Sequence, residues 1–173
     1  MLRHIRVRYD ALQDRIHLTL EARDGEHHLL ITRRVWTRVR RDLQHLLDLS
    51  ADVSPSLPRS VRQGISAEHH RAVAAQSPPR QEKAKVQDVA PDAVLVTGLR
   101  MGQRKSKDGE YPAREWVLMF ELHQRPELRL SVGDRTLHAL VNGLLQREAA
   151  AGWALPPLPV CEALAPEVKP TLQ

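Results

Sequence analysis

IHLTLEARDGEHHLLITRRVWTRVRRDLQHLL, residues 16–47, is the stretch from which the fold is read. Ile16, Leu18, Leu20 and Ala22 alternate with His17, Thr19 and Glu21, the two-residue period of a strand with one wet face. Asp24-Gly25 interrupts the alternation. Glycine adopts the positive φ that tight hairpin turns need, so the chain is expected to reverse here and return through His28, Leu29, Leu30 and Ile31. At Thr32 the period changes. Thr32 suits a helix N-cap, and Val35, Trp36, Val39, Leu43, Leu46 and Leu47 then recur at helical spacing, which predicts a helix to about Leu49.

The pattern recurs. Residues 116–145, WVLMFELHQRPELRLSVGDRTLHALVNGLL, again read strand, turn, strand, helix. Trp116–Leu122 is apolar on both faces, as a strand covered on both sides would be. Leu128, Leu130 and Val132 alternate with polar residues. Asp134 suits an N-cap, Leu137, Leu140, Val141, Leu144 and Leu145 form an apolar helical stripe, and Gly152 suits a helix stop. A further strand-like run precedes each copy, Ile5–Asp10 and Ala93–Gln103. The expected fold class is therefore α+β. Two β-β-β-α units, antiparallel sheets packed by helices, occupy residues 1–50 and 92–153. A partly helical connector over 51–91 joins them, and a Pro-rich tail covers 154–173. In the connector, Ser60–Gln76 reads as a short helix with Ile65, Val73 and His69 inward, Ser66 capping its second part, and Gln81–Val89 as a further turn or two.

At 173 residues the chain suits one domain or two halves sharing a core. Three Trp, two Tyr and one Phe are the aromatic supply, so the core must be mainly aliphatic, with Trp36 and Trp116 at core positions. A net charge of +5 permits attraction to nucleic acid, anionic lipid or acidic protein without choosing among them. The lone cysteine, Cys161, excludes an intrachain disulfide and a Cys-based zinc site. The N-terminal MLRHIRVRYD is charged and alternating, unlike a signal peptide, and no apolar run is long enough to span a bilayer, so a cytoplasmic protein is expected.

Catalytic signatures are missing. Gly98 to Ser106 departs from a P-loop: three residues separate its glycines, and Lys105-Ser106 does not directly follow the second. No Gly-x-Ser-x-Gly or paired-carboxylate arrangement is found, and no helix-turn-helix, zinc-finger or RNA-recognition signature. Nine histidines include His27-His28 and Glu68-His69-His70, but adjacent histidines diverge on a strand or a helix and no His-x-x-x-His spacing occurs. Surface or capping histidines are expected, with no metal site and no cofactor.

The arginines carry the functional reading. Arg33, Arg34, Arg38, Arg40 and Arg41 crowd the first half of the first long helix, and Arg104, Lys105 and Lys107 form a second basic patch in a hairpin loop. Because the apolar stripe of that helix faces inward, the arginines should ring the outside, either pairing with Glu21, Glu26 or Asp42 or docking phosphate or an acidic partner. The expectation is a non-catalytic interaction protein, a small subunit, adaptor or assembly factor bound to a protein partner. A nucleic-acid-binding protein using the same basic residues is the alternative, and a second copy of the chain is a further candidate partner. Tyr9, Tyr111 and Trp153 are the aromatics left over for base stacking.

Overall fold

The computed structural model of the chain describes residues 2–76, 90, 92–104 and 115–155. The elements run β1 (His4–Asp10), β2 (Arg15–Ala22), β3 (Gly25–Thr32), α1 (Arg33–Ser50), α2 (Arg59–Ala75), β4 (Val94–Arg104), β5 (Glu115–Leu122), β6 (Arg125–Gly133) and α3 (Asp134–Ala151). The six strands form one sheet in sequence order, antiparallel throughout except for β3 with β4. The protein is thus α+β with a single mixed sheet, where the sequence reading expected antiparallel sheets. A strand that ends in a helix cannot turn straight back, so β4 enters parallel to β3 after the α1–α2 crossover.

The hairpin expected at Asp24-Gly25 forms, with a shift of one residue. Ala22 faces Gly25 across a loop of Arg23 and Asp24, and Gly25 takes φ 136 as the first residue of β3. Leu122 likewise faces Arg125 across His123 and Gln124, with Gln124 at φ 54. Thr32 caps α1 as expected: Val35 N–H donates to its Oγ1 at 3.3 Å. Asp134 does not cap α3. Gly133 holds the cap position, and Asp134 is the first helical residue. Gly152 does stop α3, in the left-handed conformation at φ 60.

One face of the sheet carries the core. Ile16, Leu18 and Leu20 of β2, Ile31 of β3, Val96 of β4 and Trp116, Leu118 and Phe120 of β5 are essentially inaccessible. The predicted stripes of α1 and α3 lie against them: all six apolar residues named for α1 and all five for α3 are buried. The opposite face of β5 is only half-covered at Val117 and Met119, so that strand is not sealed on both sides. The stretch read as a connector supplies α2, which packs on both α1 and α3. Its inward residues are Ser66, Ala67, His70 and Ala74, whereas Ile65 is exposed; the helix is turned by about one residue, about 100°, from the register expected. Ser66 lies within the helix, not at its start. Residues 81–89, Lys105, Lys107, Tyr111, Cys161 and the tail beyond Leu155 lie outside the described residues. Among those described, no helix is long and apolar enough to cross a membrane.

Each long helix follows the third strand of one half and packs on the other half. α1, which follows β3, lies on β4; α3, which follows β6, reaches β1. A Cβ at Gly143 would sit 2.9 Å from Val7 Cγ2, which shows how closely α3 approaches β1. α1 and α3 run antiparallel and are joined near both ends. Near one end Glu148 accepts from Trp36 Nε1–H at 2.6 Å and Arg40 Nε–H at 2.8 Å. At the other, Ser50 meets Asp134 and His138.

Leu140→Ala should cost about 2–5 kcal/mol, because it opens a cavity at a fully buried position. Arg40→Ala should cost about 1–3 kcal/mol by leaving the part-buried Glu148 carboxylate without its cation. Arg41→Ala, one residue on and exposed, should stay within about 0.5 kcal/mol of wild type. Urea unfolding of the three variants reads these differences; equal losses for Arg40→Ala and Arg41→Ala would contradict the assignment.

Candidate functional site

Polar side chains gather where the three helices converge. Ser50, the last residue of α1, is the hub. Its Oγ donates to Asp134 Oδ1 at 2.9 Å and lies 2.8 Å from His138 Nε2 and 3.4 Å from His69 Nε2. Asp134 and His138 stand four residues apart on α3 and so share one helix face. His69 and His70 come from α2, and their rings lie 5.3 Å and 4.9 Å from that of His138. Trp116 Nε1–H donates to Asp134 Oδ1 at 2.8 Å, which anchors the carboxylate to β5. Beside the hub, Ser66 donates to Asp48 Oδ1 at 2.5 Å.

His70 Nδ1 and His138 Nδ1 are 2.7 Å apart. Such a contact needs one donor and one acceptor, so the two rings share a single proton between these atoms. Neither ring gains from charging. Burial lowers the His70 pKa to about 4, helped by the nearby imidazoles of His138 and His69. Burial also lowers His138 to about 4, against the pull of the Asp134 carboxylate. His70 Nε2 is buried with no hydrogen-bond partner among the described residues. Ser50 lies beside His138 but gives its one hydroxyl proton to Asp134, and both residues are 0 % exposed, so the pair does not make a nucleophile open to a substrate. One donor atom each from His69, Asp134 and His138 lies within 4.8 Å of the others, a set that could hold a cation.

The predicted contact residues fall into three groups. Arg33, Arg34, Arg38 and Arg41 are exposed on α1 and form no ion pair among the described residues. Pairing with Glu26 does not occur, since that carboxylate is held by Arg6. Arg34, Arg38, Arg41, His45 and Leu49 follow one another at four- and three-residue steps, so they form one ridge along the outer side of the helix. Arg40 departs from expectation: its side chain is 8 % exposed and is committed to Glu148, inside the protein. Arg104 is exposed and pairs with Glu115 at 3.3 Å; Lys105 and Lys107 lie outside the described residues. A shallow groove beside the ridge is lined by Arg38 and Asp42 on one side and by Thr97, Arg100 and Glu121 on the other.

Base stacking finds little support. Trp36, Trp116 and Phe120 are fully buried and Trp153 is 3 % exposed. Trp153 packs edge-on against Tyr9, at 6.1 Å between ring centres, and both donate to Asp14 Oδ1. Among the described residues no aromatic side chain is exposed.

The sequence leads one to expect surface or capping histidines, and His70 and His138 are instead buried. The available signal was the Asp-x-x-x-His spacing of residues 134–138, which places two polar groups on the apolar side of a helix. Its partners come from helices more than sixty residues away, which no local spacing reports.

No protein-family model matches the chain, and neither a curated protein nor a solved structure does. The cluster must be judged by its own chemistry, and its electrostatics fix a sign. Unfolded, both histidines take up protons as pH falls through the ordinary value of 6.5; folded, they resist until about 4. The contribution of these two histidines to stability is therefore complete above 6.5 and is lost as pH falls towards 4. Thermal melts between neutral and mildly acidic pH should show a falling melting temperature, with a shallower fall for His138→Leu. A flat profile for the wild type would contradict the neutral pair.

Proposed function

We propose that the protein is a non-catalytic interaction module, a small subunit or adaptor, which docks an acidic segment of a partner protein on the outer ridge of α1. The observation that carries this reading is the row of exposed arginines, Arg34, Arg38 and Arg41, which have no counterion among the described residues. Arginines that only solvate a helix flank commonly find a carboxylate; these are left to meet one from outside, where the planar fork binds it bidentately. The ridge ends in an apolar residue, Leu49, at 41 % exposure, and α2 beside it exposes Val61 and Ile65 one turn apart, at 45 % and 43 %. Aliphatic groups next to a basic row suit a protein surface of apolar centre and charged rim. They do not suit a phosphate backbone, and the burial of the tryptophans argues against a single-strand platform.

The doubled strand order belongs to the same reading. Both halves turn through a two-residue loop between their last two strands, and both pass directly from the last strand into a long helix. We read them as copies of one unit, the first adapted for contact through its arginines and the second for the core through Trp116, Phe120 and α3.

Arg38→Glu with Arg41→Glu should leave the melting temperature within a few degrees of wild type, as substitutions of exposed groups do. The same pair should reduce binding of the native partner at least about 10-fold, as reversed rim charges do when they meet like charge. Co-purification from the native host, followed by titration of the purified partner, measures the second effect. Undiminished binding by the double variant would overturn the reading. Salt-dependent binding of duplex or single-stranded DNA that the double variant abolishes, with no protein retained, would favour nucleic acid instead.

A further inference from the structure

We propose that His69, Asp134 and His138 form a binding site for one zinc-class divalent cation, which fastens α2 to α3 beneath the end of α1. The donor set is two imidazoles and a carboxylate, the nitrogen and oxygen chemistry that suits Zn²⁺ better than Mg²⁺ or Ca²⁺. A tetrahedral zinc site with bonds of about 2.0–2.1 Å separates its donors by roughly 3.3 Å. His69 Nε2 and Asp134 Oδ2 stand 3.7 Å apart, and all three donors lie within 4.8 Å, so small side-chain rotations close the set. Ser50 Oγ, 2.8 Å from His138 Nε2 and 3.4 Å from His69 Nε2, stands at tetrahedral-edge distance from both imidazole donors and supplies a fourth donor.

The surroundings provide the second reason. A ligating histidine normally donates its other ring N–H to a fixed acceptor, and a ligating carboxylate is held by a further hydrogen bond. Both supports are built here. With His138 Nε2 on the cation, its Nδ1–H donates to His70 Nδ1 at 2.7 Å, a neutral acceptor that is itself 1 % exposed. Trp116 Nε1–H holds Asp134 Oδ1 at 2.8 Å and leaves Oδ2 facing His69. A hydrogen-bond cluster alone does not require the buried His70, whose Nε2 has no partner among the described residues. An acceptor behind a ligand accounts for its Nδ1 contact with His138, the proton of the His70 ring then lying on Nε2. Access is through His69 and Asp134, whose side chains are 32 % and 26 % exposed, while His138 closes the floor at 0 %.

The test uses the full chain freed of metal by a chelator and then titrated with Zn²⁺ in a calorimeter, with Co²⁺ as a spectroscopic probe of geometry. One Zn²⁺ per chain is expected, with a rise in melting temperature and the intense visible bands of tetrahedral Co²⁺. His69→Ala should weaken zinc at least about 10-fold, the loss already seen when only a supporting partner of a ligand is removed. His69 is partly exposed, so this variant should fold. Asp134→Asn keeps an oxygen for Ser50 and Trp116 while removing the charge, and should weaken zinc comparably. His4→Ala, at the exposed first residue of β1, should change nothing. Zinc uptake that survives both His69→Ala and Asp134→Asn, or no stoichiometric uptake by the wild type, would overturn the proposal and leave a hydrogen-bond hub only.

Discussion

The pairing of β3 with β4 is the joint on which the rest of the structure depends. It alone makes one sheet of two three-stranded halves, and its register covers only Leu29 with Val94 and Leu30 with Leu95. Each of the four antiparallel pairings is much longer. Two residue pairs contribute few ladder hydrogen bonds, each worth about 1 kcal/mol net. The sheet by itself would hinge at this joint. What prevents hinging must lie in the helical layer.

The helices supply it by exchange. α1 leaves the first half and packs on β4; α3 leaves the second half and reaches β1. Separating the halves would therefore expose both apolar stripes at once, and burial of each Leu or Val contributes about 1.5–3 kcal/mol. The polar contacts sit near the ends of this layer. Glu148 holds Trp36 and Arg40 near one end, and Ser50, His70, His138 and Asp134 hold α1, α2 and α3 at the other. Apolar packing is nondirectional and leaves helices free to slide or rotate. Directional bonds near both ends remove that freedom, as buried polar groups do when each finds its partner.

Local patterns were legible in the sequence, and long-range pairings were not. Period two gave β2 and β6, period 3.6 gave the buried faces of α1 and α3, Thr32 marked a helix start by its side-chain acceptor, and Gly25 and Gly152 marked ends because each takes a positive φ. The rotation of α2 is not legible because its inward residues are small or polar: Ser66, Ala67, His70 and Ala74 give no hydrophobic stripe, while Val61 and Ile65 face out. The core at His70 is polar because His138 and Ser50 face it, and only the folded chain brings residues 50, 70 and 138 together. Arg40 reads like its neighbours in the sequence for the same reason. Its acid partner, Glu148, is 108 residues away.

Arg40 also explains why the other arginines are available. Trp36 and Arg40 are four residues apart and share one ridge of α1, and both close on Glu148. That double contact fixes the rotation of the helix about its axis. At about 100° per residue, Arg41 is carried away from the core, and Arg34 and Arg38 lie on the same outer side. Of five clustered arginines, one is desolvated to orient the helix and the others are held outward by that orientation. The exposed charge is therefore presented by a rigid element and not by a mobile arm. Because the helix backbone is already fixed, only the arginine side chains would have to order to meet a carboxylate.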